Sequence, residues 1–303
     1  MNIDDPRLAG FSIARFRFTL EALSAMPMPD YKGSIFRGSL GMALNRLFPP
    51  AYRELFRDGD GNDDPIRPYV LLPPLDNESS YPVEHTFECG LTLFGAAIRH
   101  ALACFGAMDY LGNIGLGKAR GRFRVLRIEV FRPEGWGECF NRNEGFSGHP
   151  TPFSARDFLE RLPDMRPDSI ELLLRTPLRL KSENRLLGTA PGFGVLMSRL
   201  IGRLNLLSMA IQNTPLLNHE QKHSLLALAE KIETVESDWH WEDWSRYSAR
   251  QREWMKFGGL LGRLAYRGEL APFFPYLKLA EIVHMGGRTP FGLGYVQVVP
   301  GNI

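Results

Sequence analysis

The sequence predicts an α+β protein built from two tandem β-α-β-β-α-β units. Three observations carry that reading. Apolar residues alternate in some segments and recur every three to four residues in others, in the same order twice over. Each half ends as helix, glycine-rich turn containing Gly-Leu-Gly, and strand, with Gly115-Leu116-Gly117 in the first and Gly292-Leu293-Gly294 in the second. The length, 303 residues, favours two domains over one. Duplication accounts for all three, and an antiparallel sheet with two helices on one face is the ferredoxin-like arrangement.

The elements follow in order. Residues 11–21 alternate, with Ile13, Phe16, Phe18 and Leu20 set among Arg15, Arg17, Thr19 and Glu21, which predicts a half-buried strand. Pro27 and Pro29 break it. From Gly33, the positions Ile35, Phe36, Leu40, Ala43, Leu44 and Leu47 have helical spacing, and Pro49-Pro50 end the pattern. After a polar excursion from Arg57 to Pro65, two strand-like runs at 67–73 and 84–93 flank a loop rich in Pro, Asn and Ser. Gly95–Tyr110 reads as a second helix and Gly121–Phe131 as the strand that closes the unit. Residues 133–168 are rich in Gly, Pro, Asn and Glu with little periodicity and read as a linker or decorated connection. Beyond it come a strand at 169–180, helices at 193–211 and about 219–234, and strands at 239–248 and 253–267. A short helix at 272–283 and a strand at 295–299 end the chain. The expected domains are 1–132 and 169–303, joined by 133–168.

Composition excludes several classes. With 44% hydrophobic residues and a net charge of +2, the chain is neither disordered nor collagen-like. Three cysteines, Cys89, Cys104 and Cys139, show no CxxC spacing, which predicts buried thiols and no cysteine zinc site. The N-terminus lacks a basic region followed by an apolar one, and no stretch reaches the ~20 uncharged apolar residues of a membrane span. The reading is a cytoplasmic protein with no membrane partner and no cofactor.

Two motifs fall short of the chemistry they suggest. Gly112-Asn-Ile-Gly-Leu-Gly117-Lys118 approaches a phosphate-binding loop, yet Ala119 replaces the hydroxyl that would hold magnesium, and a helix precedes it where a strand is needed. Asp58-Gly-Asp60-Gly-Asn62 alternates oxygen ligands like a calcium loop but lacks the sixth-position Gly and the twelfth-position Glu. It reads as a solvated acidic loop.

Basic residues are more informative. Arg120, Arg122 and Arg124 are spaced two apart, on one face of the expected strand, with Lys118 just before them. A row of like charges needs carboxylates or phosphates to meet, and the alternatives are a polyanion and a solvated edge strand. Arg175, Arg179, Lys181 and Arg185, and then Arg250, Arg252, Lys256, Arg263 and Arg267 interleaved with Trp254 and Tyr266, suit single-stranded RNA, whose bases stack on aromatic rings. Glycines at 286, 287, 292 and 294 let backbone approach a ligand closely, and the alternative is a tight helix-to-strand turn.

At these residues the chain resembles the CRISPR-associated endoribonucleases of the RAMP superfamily that process precursor CRISPR RNA. Tyr31-Lys-Gly-Ser-Ile-Phe-Arg37-Gly-Ser-Leu-Gly41, Leu91-Thr-Leu-Phe-Gly95, Gly112–Gly117, Thr176-Pro-Leu-Arg179 and the terminal run to Phe291-Gly-Leu-Gly294 carry the resemblance. It implies tandem ferredoxin-like domains, CRISPR repeat RNA and other CRISPR-associated subunits as partners. It also implies metal-free cleavage, in which a 2′-hydroxyl attacks the adjacent phosphate to leave a 2′,3′-cyclic phosphate and a 5′-hydroxyl. Such chemistry needs a base, an acid and a cation. Many such proteins carry a catalytic His in or after the first helix, and residues 33–50 here hold none. A common His-x-Gly-Lys stands here as His284-Met-Gly286-Gly287-Arg288, with Gly at the Lys position. His284 is therefore the first catalytic candidate, followed by Tyr31, Lys32 and Arg37. The expected RNA-binding residues are Lys118, Arg120, Arg122, Arg124, Gly286, Gly287, Arg288, Gly292 and Gly294. The other histidines read as background, and no metal ligands are expected. The rival expectation is a non-catalytic RNA-binding subunit of an interference complex.

Overall fold

The computed structural model describes residues 3–301 apart from 57–65, 183–184, 236 and 249–252. The chain divides into two compact units: an N-terminal one of Leu8–Arg161 with Ala210–Gln212, and a C-terminal one of Met1–Arg7, Leu162–Met209 and Asn213–Ile303.

In the N-terminal unit, β1 (Ser12–Ala22), β2 (Tyr69–Leu72), β3 (Thr86–Phe94) and β4 (Phe123–Arg132) form a sheet ordered β2-β3-β1-β4. That is the ferredoxin-like order, since the first strand lies between the third and the fourth. Helices α1 (Gly33–Leu47) and α3 (Ala101–Ile114) supply the crossovers. The alternation of β1 decides its faces. Phe16, Phe18 and Leu20 are fully buried, and the Phe105 ring of α3 meets Phe16 at 5.0 Å and Phe18 at 5.6 Å. Each such aromatic contributes about 1.5–3 kcal/mol by burial alone. On the opposite face Arg17 Nε donates to Glu129 Oε2 at 2.8 Å across the β1–β4 pair.

Three features depart from expectation. Pro49-Pro50 end α1 but also open α2 (Pro49–Phe56), because proline at the first helical turn has no hydrogen bond to lose. Gly95–His100 forms a 3-10 turn before α3 begins, so the expected single helix has two geometries. The expected connection at 133–168 is structured. β5 (Gly135–Asn141) pairs with β4, β6 (Gly145–Phe146) pairs with β5, and β7 (Phe153–Ser154) pairs with β1. Helix α4 (Ala155–Glu160) follows, opened by a reciprocal cap between Ser154 and Asp157. Short strands whose apolar partners are distant leave no period of their own to read. The acidic stretch at 58–64 lies outside the described residues.

The C-terminal unit repeats the plan. β8 (Ser169–Leu178) lies between β12 (Val296–Gly301) and β11 (Glu253–Arg267), and β11 also pairs with β9 (Glu233–Val235) and β10 (Trp239–Ser248). Helix α5 (Phe193–Gln212) follows β8, and α7 (Phe274–Val283) precedes β12. Between them sits an additional helix, α6 (His219–Ala229), capped by Asn218 and Gln221 as the sequence at Asn218 suggests. Helix α5 is also the one helix, among the described residues, long and apolar enough to cross a membrane, and half of that stretch is buried in the protein.

Candidate functional site

The glycine-rich segment 284–294 is fixed to the end of β8 by its own backbone. Gly287 N donates to Arg179 O at 2.9 Å, Gly294 N to Pro177 O at 3.0 Å, and Met285 N to Gly294 O at 2.8 Å. The Thr176 hydroxyl donates to Gly292 O at 2.7 Å and accepts from Tyr295 N at 2.8 Å. Two glycines are required by space as well as dihedral. At Gly286 (φ +73°) an added Cβ would overlap the Arg179 carbonyl, and at Gly294 (φ +74°) the Met285 carbonyl. These contacts build a tight helix-to-strand turn from the same glycines.

His284 belongs to the same construction. It ends α7 at φ 58°, is 2% exposed, and places Nδ1 3.2 Å from Leu293 O, with Tyr295 tilted against its ring at 5.2 Å. Buried Arg203 on α5 donates from Nε and Nη2 to Val283 O at 2.9 and 2.7 Å, and from Nε to His284 O at 3.0 Å. A cation here satisfies the last carbonyls of α7 and complements its dipole, worth about 1.5–3 kcal/mol per charged hydrogen bond. His284 thus contacts the loop's own backbone at Leu293. Arg288, at φ 61°, lies with Cζ 5.5 Å from the Phe257 ring, which in turn stacks on Trp244 at 4.5 Å.

The remaining catalytic candidates belong to the N-terminal unit. Lys32 is 2% exposed; its Nζ donates to Asp76 O at 2.8 Å and lies 3.3 Å from Asp76 Oδ1. Partial burial opposes ionisation of Asp76, but hydrogen bonds from the Tyr81 hydroxyl and Glu78 N–H, with the Lys32 charge, outweigh it and hold the carboxyl below its usual range. Lys32 is thus a buried cation paired with Asp76. Burial pushes the Tyr31 phenol well above its usual value, so it stays protonated at neutral pH. Arg37 lies with Cζ 5.3 Å from the Phe56 ring and is coupled to the buried Tyr69 hydroxyl.

The basic row is divided. The segment Leu116–Gly121 is a tight turn closed by Leu116 N to Gly121 O at 2.8 Å, with Arg120 at φ 50°. Strand β4 begins at Phe123, so Arg120 and Arg122 precede it, and exposed Arg120, Arg122 and Arg124 alternate with buried Gly121, Phe123 and Val125 as the spacing predicts. Arg124 meets a carboxylate, Glu21 on β1, whereas Lys118, Arg120 and Arg122 are exposed at the turn. In the C-terminal unit Arg263 Nη1 is bound to Glu171 Oε1 at 2.5 Å, and Tyr266 is fully buried with its hydroxyl donating to Pro191 O at 2.9 Å. Tyr266 is a core residue and not a stacking platform. Arg250 and Arg252 lie outside the described residues. No group of three or more His, Cys, Asp or Glu side chains is arranged to hold a metal ion among the described residues.

A cluster that the sequence reading left as background completes the inventory. Glu54 on α2 accepts at Oε2 from His100 Nε2 at 2.8 Å and from Arg99 Nη2 at 2.5 Å. These two hydrogen bonds, Arg99 first, hold the Glu54 carboxyl below its usual range. No spacing rule could have joined Glu54 to His100 across 46 residues.

With tandem ferredoxin-like units and a glycine-rich turn before the last strand, the chain has the fold of the RAMP proteins. The model of the family described as CRISPR-associated endoribonuclease Cas6 matches residues 172–296, within the C-terminal unit. A second model, described as an N-terminal domain, matches residues 11–150. Among solved structures, Thermus thermophilus Cas6 aligns with a TM-score of 0.60 at 16% identity, covering 95% of this chain and 99% of that one. Its product complex gives 0.62 at 18%, covering 96% and 100%. A partial Cas6-RT-Cas1–Cas2 complex gives 0.66 at 14%, covering 96% of this chain and 46% of that one. A RAMP protein binding different RNA substrates gives 0.50 at 11%, covering 94% and 99%. A sequence search of curated proteins finds no match.

Proposed function

We propose that this protein is an endoribonuclease that cleaves CRISPR repeat RNA in precursor transcripts to give mature guide RNA. The observation that carries the reading is the match of residues 172–296 to the Cas6 endoribonuclease family. The tandem fold supports it, because solved structures of that fold include a Cas6 product complex. The partners are repeat RNA and, as in the Cas6-RT-Cas1–Cas2 assembly, other CRISPR-associated subunits.

The finer reading is cleavage without a metal. The 2′-oxygen attacks the neighbouring phosphorus, the bond to the 5′-oxygen breaks, and the products are a 2′,3′-cyclic phosphate and a 5′-hydroxyl. The RNA-binding surface we assign comprises the exposed turn of Lys118, Arg120 and Arg122 in the N-terminal unit and, in the C-terminal unit, Arg288 on the glycine-rich loop. Cations on exposed turns can meet phosphates without first being desolvated.

The test is cleavage of end-labelled repeat RNA in EDTA, beside a substrate with a 2′-deoxy at the scissile position. A discrete product in EDTA that the deoxy substrate abolishes is the expected result. Cleavage that needs magnesium overturns the metal-free step. Tight binding with no cleavage under either condition makes the protein a non-catalytic RNA-binding subunit.

A further inference from the structure

Helix α6 opens on His219-Glu220-Gln221-Lys222-His223, an H-E-x-x-H pattern whose helical backbone gives the spacing its meaning. Residues four apart on a helix lie one above the other, so both imidazoles project from one face. The two rings are close to parallel, 18° apart, with centroids 6.5 Å from each other. Both residues are exposed, and neither ring is hydrogen bonded or ion paired among the described residues. By contrast His85 is stacked on Tyr81 at 4.8 Å, His100 is bound to Glu54, and His284 faces Leu293 O. The turn that carries the pair is already fixed. The Asn218 side chain accepts from Gln221 N at 2.8 Å, Gln221 Oε1 accepts from Asn218 N at 3.0 Å, and Arg7 Nη2 donates to the same Oε1 at 3.1 Å. A ligand held by both rings would therefore order side chains and no backbone.

We propose that His219 and His223 form a binding site for a divalent transition cation of the zinc and copper class on the surface of the C-terminal unit. Neutral imidazole suits these ions, which it binds at about 2.0–2.1 Å in the case of zinc. The rings must swing about their side-chain bonds to bring one nitrogen each to that distance, and their exposure leaves them free to do so. Magnesium and calcium take oxygen ligands and do not compete. In metalloproteases the same H-E-x-x-H pattern holds zinc with its Glu as general base, but a catalytic zinc there has three protein ligands. Here no group of three or more His, Cys, Asp or Glu side chains is arranged to hold a metal among the described residues, and His219, Glu220 and His223 all face solvent. The site therefore binds a cation, with water in its remaining positions, and does not hydrolyse a substrate. Lys222, Arg7 and the positive end of the α6 dipole oppose the added charge, and Glu220 offsets it, which makes the site weaker than an enclosed zinc centre.

The experiment titrates the full chain, free of any affinity tag and stripped with EDTA before desalting, with zinc chloride, copper sulfate and magnesium chloride in a calorimeter. The expected result is one zinc or copper ion per chain, copper held more tightly than zinc, and no binding of magnesium. His219→Ala and His223→Ala should each weaken zinc binding by about tenfold or more, since losing even an outer-shell partner costs about 10–100-fold in metal affinity. His240→Ala should leave it unchanged. Moving the second imidazole by one position, as His223→Ser with Ser224→His, keeps the number of histidines but breaks the four-residue spacing, and should weaken zinc binding as much as His223→Ala does. Zinc should raise the thermal midpoint of the wild type and not that of the shifted variant. Equal zinc affinity in the wild type and the shifted variant overturns the proposal, as does a wild type that takes up neither zinc nor copper or that binds magnesium equally well. Should an alanine variant fail to fold, the shifted pair decides. None of these measurements involves RNA, so their outcome is independent of the endoribonuclease reading.

Discussion

Single residues in this protein are assigned by what encloses them. The three cysteines show it most simply. Each is buried, as their spacing and number imply, and burial first of all pushes the Cys104 thiol up to about 12 and the Cys139 thiol up to about 11. Burial also raises the Cys89 thiol. The fold therefore favours the neutral thiols. The unfolded chain releases those protons at about pH 9, so the associated stability is present below pH 9 and is lost as pH rises toward 11 to 12. Folded protein at pH 8 should react with an aromatic disulfide reagent only at the rate of unfolding. Urea midpoints should fall between pH 9 and 11 by more in the wild type than in Cys104→Ala. Stoichiometric labelling of the folded protein within seconds at pH 8 would contradict this assignment. The same logic of enclosure separates His284 from His100. Both are titratable groups at the edge of a helix, but one faces a backbone carbonyl inside a closed loop and the other a carboxylate near the surface.

Among the elements, the glycine-rich turn is the one with the least freedom. Its conformation depends on positive φ at Gly286, Arg288, Gly292 and Gly294, and on the clearance over the Met285 and Arg179 carbonyls. Replacing Gly294 by Ala adds a methyl group where the Met285 carbonyl sits and imposes a dihedral that costs about 1–3 kcal/mol on its own. The expected outcome is a fall in thermal midpoint of several degrees or more. Gly188→Ala, with open space around the added methyl, should leave the midpoint within a degree or two. Equal midpoints for the two variants would remove the steric argument. Most long elements could be read from periodicity: residues 239–248 and 253–267 are strands with the expected bounds, and the helix from Gly33 ends before Pro49. The misread elements are those whose partners are remote. β5 to β7 are held by pairing with β4 and β1, and α2 begins at the very prolines that end α1.

For the whole molecule, association with RNA is governed by exposed charge more than by net charge, which at +2 is unremarkable. The structure separates the basic row into Arg124, already paired with Glu21, and the exposed turn of Lys118, Arg120 and Arg122. Changing the three turn residues together to Ala should weaken repeat-RNA binding. It should also reduce the slope of log affinity against log salt by about 2, since each single-strand phosphate contact contributes about 0.7. Arg124→Ala alone should move the slope by much less. An unaltered slope in the triple variant would remove this turn from the RNA surface.

The sequence alone determined the duplicated α+β plan, the β-α-β-β-α-β order at the core of each unit, the buried thiols and the family resemblance. These depend on residues close in the chain, whose spacing records which side of a helix or strand is buried. Tertiary structure decided which polar groups are available for chemistry. Arg203 reaches Val283 across 80 residues, Lys32 reaches Asp76 across 44, and Glu54 reaches His100 across 46. Burial and hydrogen bonding set the role of an ionisable side chain, and both come from neighbours that only the folded chain brings together.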